Sequence, residues 1–187
     1  MFRSLLLLVV FFVFSVLPVD DAHAQVPADI AETTEVDPTA TLGRSATWGE
    51  NGSIGAGVQL GYASEVGDFV YGLDGAVFGN LVVVGDGSVI GGTLGRNVVL
   101  GQGVLAPSAI IGPMTSVGDG TWLGFGVRIR KDGVIGAGCR IGDGVAIGRD
   151  AVIGSGVTIA AGVSLAAGVT VGDGLTVTEN QSRGSVL

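Results

Sequence analysis

Histidine and cysteine, which most often serve as catalytic base, nucleophile or zinc ligand, are nearly absent from this sequence. The 187 residues include one histidine, His23, and one cysteine, Cys139. A histidine base, a catalytic triad or a histidine-ligated zinc site would all have to use His23. Lys131 follows Arg130, but no neighbouring feature suggests a desolvated lysine nucleophile. This sparse chemistry indicates that the surface, rather than a pocket, carries the function.

His23 lies in a segment with the pattern of a secretory leader. Arg3 precedes an apolar run over residues 5–17, and Ala22-His23-Ala24 has the small-x-small form of a signal-peptidase site. The run is shorter than the about 20 apolar residues that a transmembrane helix needs. We therefore predict a signal peptide over 1–24, with no transmembrane anchor after cleavage. An uncleaved anchor is the alternative. The mature chain would be periplasmic or extracellular and would contain no histidine.

The composition limits the kinds of partner and of covalent cross-link that this protein could have. The net charge is −8, and it would be −7 without residues 1–24, so a nucleic-acid partner is not expected. A single cysteine excludes an internal disulfide, although export leads to an oxidising compartment. Cys139 falls at an inward position of the repeat described next. We therefore expect a small buried side chain there rather than a reactive thiol.

The chain repeats every six residues. An aliphatic residue recurs at the first position, as in the stretch "VIGAGCRIGDGVAIG" from Val134, and this phase is unbroken from Ile111 to Val177. Before that, the phase slips by two residues ahead of Leu94 and by one more ahead of Ile111. The first and fifth positions are apolar or small, and the fourth is mostly Gly, which tolerates the left-handed backbone of a tight turn. Each hexad is therefore predicted to form one short strand and one corner of a solenoid.

The pattern aliphatic-Gly-x-x-small-x resembles that of the bacterial transferase hexapeptide-repeat superfamily over residues 36–177. This resemblance implies an all-β fold, a left-handed parallel β-helix of triangular section with three hexads per coil and about eight coils. We expect an N-terminal segment or cap over 25–35, the β-helix over 36–177 and a polar tail over 178–187.

The resemblance also implies an activity, because known members are acyltransferases with a histidine base or γ-class carbonic anhydrases with three zinc-binding histidines. No histidine follows residue 24, so no catalytic residue can be transferred to this sequence. We expect no catalytic site, no cofactor and no metal centre.

Residues 18 apart, corrected for the slips, should stack into columns along the prism. One corner column is acidic and contains Asp68, Asp86 and Asp119, which are weak candidates for cation binding. A second corner column is basic and contains Arg44, Arg96, Lys131 and Arg149. Charged corners are often only solvated. Alternatively, edges of opposite charge complement each other between neighbouring copies.

An outward column on one face is predicted to be apolar over four consecutive coils, through Tyr71, Val89, Leu105 and Trp122. A contiguous apolar patch typically marks an interface, although residues 25–35 could instead cover it. Superfamily members are commonly trimers, so we expect a homotrimer or larger assembly.

The favoured function is an exported, non-catalytic structural or binding protein that assembles through charged edges and an apolar face. The alternatives are an acyltransferase-like enzyme acting on an envelope sugar, and a module that binds cations or an envelope or extracellular glycan.

Overall fold

The computed structural model describes residues 28–187, and the predicted leader lies outside this range. Twenty-four strands and no helix are found there. None of these residues therefore forms a helix that could cross a membrane.

The strands form three flat faces of a prism, and the chain visits faces 1, 2 and 3 in turn in each coil. Face 1 consists of β1 (Asp29–Ile30), β4 (Thr47–Trp48), β7 (Glu65–Val66), β10 (Val83–Val84), β12 (Val99–Leu100), β14 (Ser116–Val117), β17 (Val134–Ile135), β20 (Val152–Ile153) and β23 (Thr170–Val171). Face 2 consists of β2 (Glu35–Val36), β5 (Ser53–Ile54), β8 (Tyr71–Gly72), the first part of β11 (Val89–Leu94), the first part of β13 (Leu105–Ile111), β15 (Trp122–Leu123), β18 (Arg140–Ile141), β21 (Thr158–Ile159) and β24 (Thr176–Val177). Face 3 consists of β3 (Thr41–Leu42), β6 (Gln59–Leu60), β9 (Val77–Phe78), the second parts of β11 and β13, β16 (Arg128–Ile129), β19 (Ala146–Ile147) and β22 (Ser164–Leu165).

Every pairing between strands is parallel and joins one coil to the next. Thr47 pairs with Glu65, Val134 with Val152 and Arg140 with Thr158, each at a separation of 18 residues. The predicted all-β left-handed parallel β-helix, with three hexads per coil, is confirmed. It begins one hexad before Val36, because Asp29–Ile30 already forms the first strand of face 1.

The two predicted slips fall at the same corner in consecutive coils. β11 and β13 run straight from face 2 to face 3, so the turn that other coils make there is missing. Val89 pairs with Leu105 at a separation of 16 residues, and Leu105 pairs with Trp122 at a separation of 17. We call this corner the interrupted edge.

The interior is filled by the first and fifth positions of each hexad. Ile141, Val145 and Ile147 are at most 1% exposed. The few buried polar side chains at fifth positions bond to the backbone of the next coil. Thr121 Oγ1 donates to the Gly136 carbonyl at 2.9 Å and accepts from the Cys139 N–H at 3.2 Å. Such hydroxyls are satisfied inside the core and need no ligand.

The widest side chains of the core are accommodated near its N-terminal end. Trp48 and Phe78 meet edge to face, with ring centroids 5.6 Å apart and an interplanar angle of 67°. Gly72 occupies a first position, where the other hexads place an apolar side chain. A Cβ atom on Gly72 would lie 2.8 Å from Trp48 Cη2. The absence of a side chain at Gly72 therefore leaves the space that the Trp48 indole fills.

Restoring an aliphatic residue at this position should destabilise the fold. Gly72→Leu would overpack the core and is expected to lower the free energy of unfolding by about 1–3 kcal/mol. In the double variant Trp48→Val/Gly72→Leu the cost should fall, because replacing the indole by the smaller valine side chain frees the volume. Urea unfolding of both variants measures this coupling, and equal losses in the two would contradict the assignment.

Candidate functional site

The acidic column exists and lies at the edge between faces 1 and 2, which we call the acidic edge. The aspartates there accept hydrogen bonds from the preceding coil. The N–H of Glu50 donates to Asp68 Oδ1 at 2.7 Å, that of Asp68 to Asp86 Oδ1 at 3.0 Å, and that of Gln102 to Asp119 Oδ1 at 2.9 Å. One oxygen of each aspartate is therefore a structural acceptor for a corner N–H group.

The same arrangement limits what the acidic edge can bind. Cation sites need several oxygen ligands converging on one point, whereas these carboxylates stand one per coil with Oδ1 already engaged. Among residues 28–187 no group of three or more His, Cys, Asp or Glu side chains is placed to hold a metal ion. Asp68, Asp86 and Asp119 thus have a role in joining coils that the sequence interpretation did not include.

The basic column also exists and lies at the edge between faces 3 and 1, which we call the basic edge. Its corners stack directly, since the N–H of Asp150 donates to the Lys131 carbonyl and that of Met114 to the Arg96 carbonyl. Lys131 Nζ lies 3.1 Å from Asp132 Oδ2, and Arg149 Nε lies 3.9 Å from Asp150 Oδ2. These exposed pairs are worth little in water, so the edge keeps its cationic groups at the surface.

The predicted outward column on face 2 lies at the surface, with Val89 half-buried between exposed neighbours. Tyr71, Val89, Leu105 and Trp122 follow one another in register across four coils, and Tyr71 and Trp122 are 44% and 37% exposed. Residues 28–35 belong to the first coil and leave this column uncovered.

The interrupted edge widens this column into a larger surface. Ile110 is exposed on the same strand as Leu105, Phe125 is 63% exposed at the next full corner, and Leu73 Cδ1 lies 3.2 Å from the Cβ position of Gly91. We define the apolar patch by the residues Tyr71, Leu73, Val89, Leu105, Ile110, Trp122 and Phe125. The sequence analysis missed Leu73, Ile110 and Phe125, although the two slips in consecutive coils were the available signal.

A shallow depression borders the patch. It is open to solvent and is lined by Gly120, Trp122, Gly138, Cys139 and Arg140. The indole of Trp122 and the guanidinium of Arg140 belong to paired strands. Here an aromatic surface therefore adjoins a cation.

Cys139 is 1% exposed and faces the core, as predicted. Its Sγ lies 3.1 Å from the Gly154 carbonyl oxygen, in the place where Thr121 puts its hydroxyl one coil earlier. Burial raises the pKa of the Cys139 thiol, so the unreactive protonated form dominates at neutral pH.

Two changes at the acidic edge should separate the hydrogen bond from the charge. Asp119→Asn keeps an Oδ1 acceptor for the Gln102 N–H and should leave the free energy of unfolding nearly unchanged. Asp119→Ala removes the acceptor and should cost about 1 kcal/mol. Chemical denaturation of the two variants measures the difference. Equal stability in the two would show that the carboxylate does not support the corner.

A hydroxyl group should be able to replace the Cys139 thiol without disturbing the fold. Cys139→Ser is expected to fold with the same circular dichroism and to lower stability only modestly, because Thr121, Ser64 and Ser88 occupy comparable positions. In the native protein, maleimide labelling of the thiol should proceed only at the rate of unfolding. Rapid labelling under native conditions would contradict the buried, protonated state.

Comparisons with known proteins identify the fold. No protein-family model matches the sequence, and no curated protein matches it. Among solved structures, the UDP-N-acetylglucosamine acyltransferase of Arabidopsis is similar with a TM-score of 0.60 at 16% identity, over 80% of this chain and 61% of that one. LpxA of Acinetobacter baumannii is similar with a TM-score of 0.59 at 12% identity, over 82% of this chain and 68% of that one.

This chain therefore spans about three fifths of the length of the Arabidopsis enzyme. At these identities the likeness concerns the architecture, and the residues that carry activity must be argued separately. The parallel coils, the six-residue period and these structural neighbours together show that the chain has the left-handed β-helix fold of the hexapeptide-repeat acyltransferases.

Proposed function

We propose that this chain is an exported, non-catalytic β-helical protein that works by self-association, as a structural or binding element outside the cytoplasm. The observation that carries the proposal is the charge arrangement of the prism. Carboxylates line the acidic edge, and cations line the basic edge with Asp132 and Asp150 beside two of them. Both edges border the same face. Opposite charges on two edges of one rigid body favour contact between copies.

The apolar patch supports the same proposal through a different interaction. It is contiguous, uncovered by residues 28–35, and crosses the interrupted edge where the corner turns are missing. Apolar surface of this kind is buried in interfaces more often than it is left in water. Export to the periplasm or the exterior remains a prediction from the leader pattern.

The association is expected to depend on salt. In sedimentation velocity experiments the purified protein should form a discrete assembly at low ionic strength that loosens at high ionic strength. The double variant Arg96→Glu/Arg149→Glu should weaken it, because both changes place a negative charge on the basic edge. Arg128→Glu/Arg140→Glu is the matched control, since it makes the same charge change away from the basic edge, on faces 3 and 2.

Each outcome of this experiment has a definite meaning. A monomer at every concentration would overturn the proposed self-association. A salt-independent assembly that Trp122→Lys dissociates, while Arg96→Glu/Arg149→Glu does not, would assign the contact to the apolar patch instead of the charged edges.

An acyltransferase-like activity on an envelope sugar is the second candidate, and the fold similarity to two acyltransferases favours it. The depression beside Trp122 and Arg140 is the place where a sugar could stack on an aromatic ring. Mass spectrometry after incubation with acyl donors and amino sugars tests it. A defined acylated product that Trp122→Ala abolishes would replace the non-catalytic proposal. Calorimetric titration with Ca²⁺ and with glycans tests the binding-module alternative.

A further inference from the structure

Face 1 presents an exposed column of β-branched side chains that the sequence analysis did not single out. Val83, Val99, Val134 and Val152 are 39–48% exposed, although valine readily packs against another sheet. From the second coil onward, the outward residues of the face-1 strands are Thr47, Glu65, Val83, Val99, Ser116, Val134, Val152 and Thr170. Glu65 is the single ionisable side chain in that series.

The positions two residues after this column are glycine in each coil from the second onward. Because residues two apart point to the same side of a strand, these positions also face outward beside the acidic edge. A Cβ atom there would clash with the next coil, as at Gly85, where it would lie 2.6 Å from the Gly101 carbonyl carbon. This side of face 1 is therefore bare backbone, through Gly49, Gly67, Gly85, Gly101, Gly118, Gly136, Gly154 and Gly172.

The positions two residues before the column, beside the basic edge, carry side chains instead. Seven consecutive coils place a non-glycine residue there with positive φ, including Leu81 at 57° and Met114 at 55°. Asn97, Asp132 and Asp150 in this series are of the types that tolerate a left-handed backbone, but that backbone costs Leu81 and Met114 about 1–2 kcal/mol each, which glycine would avoid. Leu81 and Met114 are also about half exposed. Strain of this kind at an exposed position points to a use for the side chain.

These columns make face 1 self-complementary in only one orientation. We call the row of side chains beside the basic edge, two residues before the central column, the ridge. When two prisms meet by face 1 through a two-fold axis parallel to the prism axis, the ridge of each copy opposes the glycine column of the other. The acidic edge of each copy then lies along the basic edge of the other. Arg44 stands directly opposite Glu50 of the second copy, whereas Arg96 stands opposite Gln102, one coil away from Asp86 and Asp119. The antiparallel two-fold arrangement would instead set ridge against ridge and like charge against like charge.

We propose that face 1 is the contact of a parallel, two-fold symmetric pair of this chain, with coils of the same number opposite each other. This inference rests on the proposed self-association and specifies its surface, symmetry and register. Stacked sheets pack about 10 Å apart, which lets the valines of the two copies meet along the axis while the charged edges close the rims.

Glu65 regulates the strength of this pair. It lies on the central column, so the two-fold axis places it against Glu65 of the second copy. Two carboxylates meeting in a closing interface repel each other and resist the loss of water. The pair is therefore weaker than the valine column alone would make it.

Substitutions on the central column test the surface in sedimentation equilibrium. Glu65→Val should tighten the pair by about tenfold, since it removes the repulsion and extends the valine column. Gln59→Val, at an outward position of face 3 in the preceding coil, is the control and should have no effect. Val99→Lys should abolish the pair, whereas Thr93→Lys on face 3 should not.

The strained ridge gives a readout that a purely structural role would not produce. In the Leu81→Gly/Met114→Gly variant the free energy of unfolding of the monomer should stay unchanged or rise, because the backbone strain is relieved. The pair should nevertheless weaken by about tenfold, because the ridge is gone. A variant that lowers monomer stability and leaves association intact would overturn the role of the ridge.

Chemical cross-linking tests the orientation. With Val152→Cys in a Cys139→Ser background, a short bismaleimide should join two copies at this residue in the parallel pair. In a centred antiparallel pair the two Val152 positions would stand about 29 Å apart, six coil spacings, and would not cross-link. In that antiparallel pair, a mixture of the two single-cysteine proteins would instead cross-link Val152→Cys of one copy to Thr47→Cys of the other. Thr158→Cys on face 2 is the control for random collision.

The failures of the two proposals are distinguishable. A monomeric protein in all conditions would overturn both. An assembly that ignores Glu65→Val and Val99→Lys but responds to Trp122→Lys would retain the proposed self-association and overturn the face-1 pair. A trimer by mass, or cross-linking only in the antiparallel mixture, would likewise overturn the two-fold parallel arrangement.

Discussion

The backbone hydrogen bond from one coil to the next is the interaction on which the whole molecule depends. Each strand residue is held against the one 18 positions later, or 16 and 17 positions later in the coils that pass through the interrupted edge. This constraint turns a linear repeat into columns, so that the chemistry of a face is decided by residues far apart in sequence. It also explains part of the composition, because glycines that directly follow a first position stack so closely on the next coil that a Cβ atom would clash there.

The columns themselves were predictable from the sequence. A six-residue period with two slips was enough to place Tyr71, Val89, Leu105 and Trp122 on one face and to separate the acidic from the basic edge. What the period does not specify is how each atom is used. It groups Asp68, Asp86 and Asp119, but only the coordinates show that one oxygen of each carboxylate holds a backbone N–H group.

The conformation of the basic edge was beyond sequence reasoning for a related reason. Leu81 and Met114 have no local preference for positive φ, and stacking against neighbouring corners imposes it. The sequence did not distinguish the valine column of face 1 from other strand positions, because valine is common in strands. Its meaning appears only when the glycine column on one side and the ridge on the other are seen together.

The direction of the coil-to-coil hydrogen bonds has a mechanical consequence. They run along the prism axis, so a load applied between the two ends acts on successive coils in series, and each coil carries the full force. The C-terminal residues add two isolated bridges, from Gln181 to Leu165 and from Val186 to Thr170, across the last coil. Under tension such a rod would come apart by peeling from its weaker end, one coil at a time. Under compression or bending the same stack is stiff.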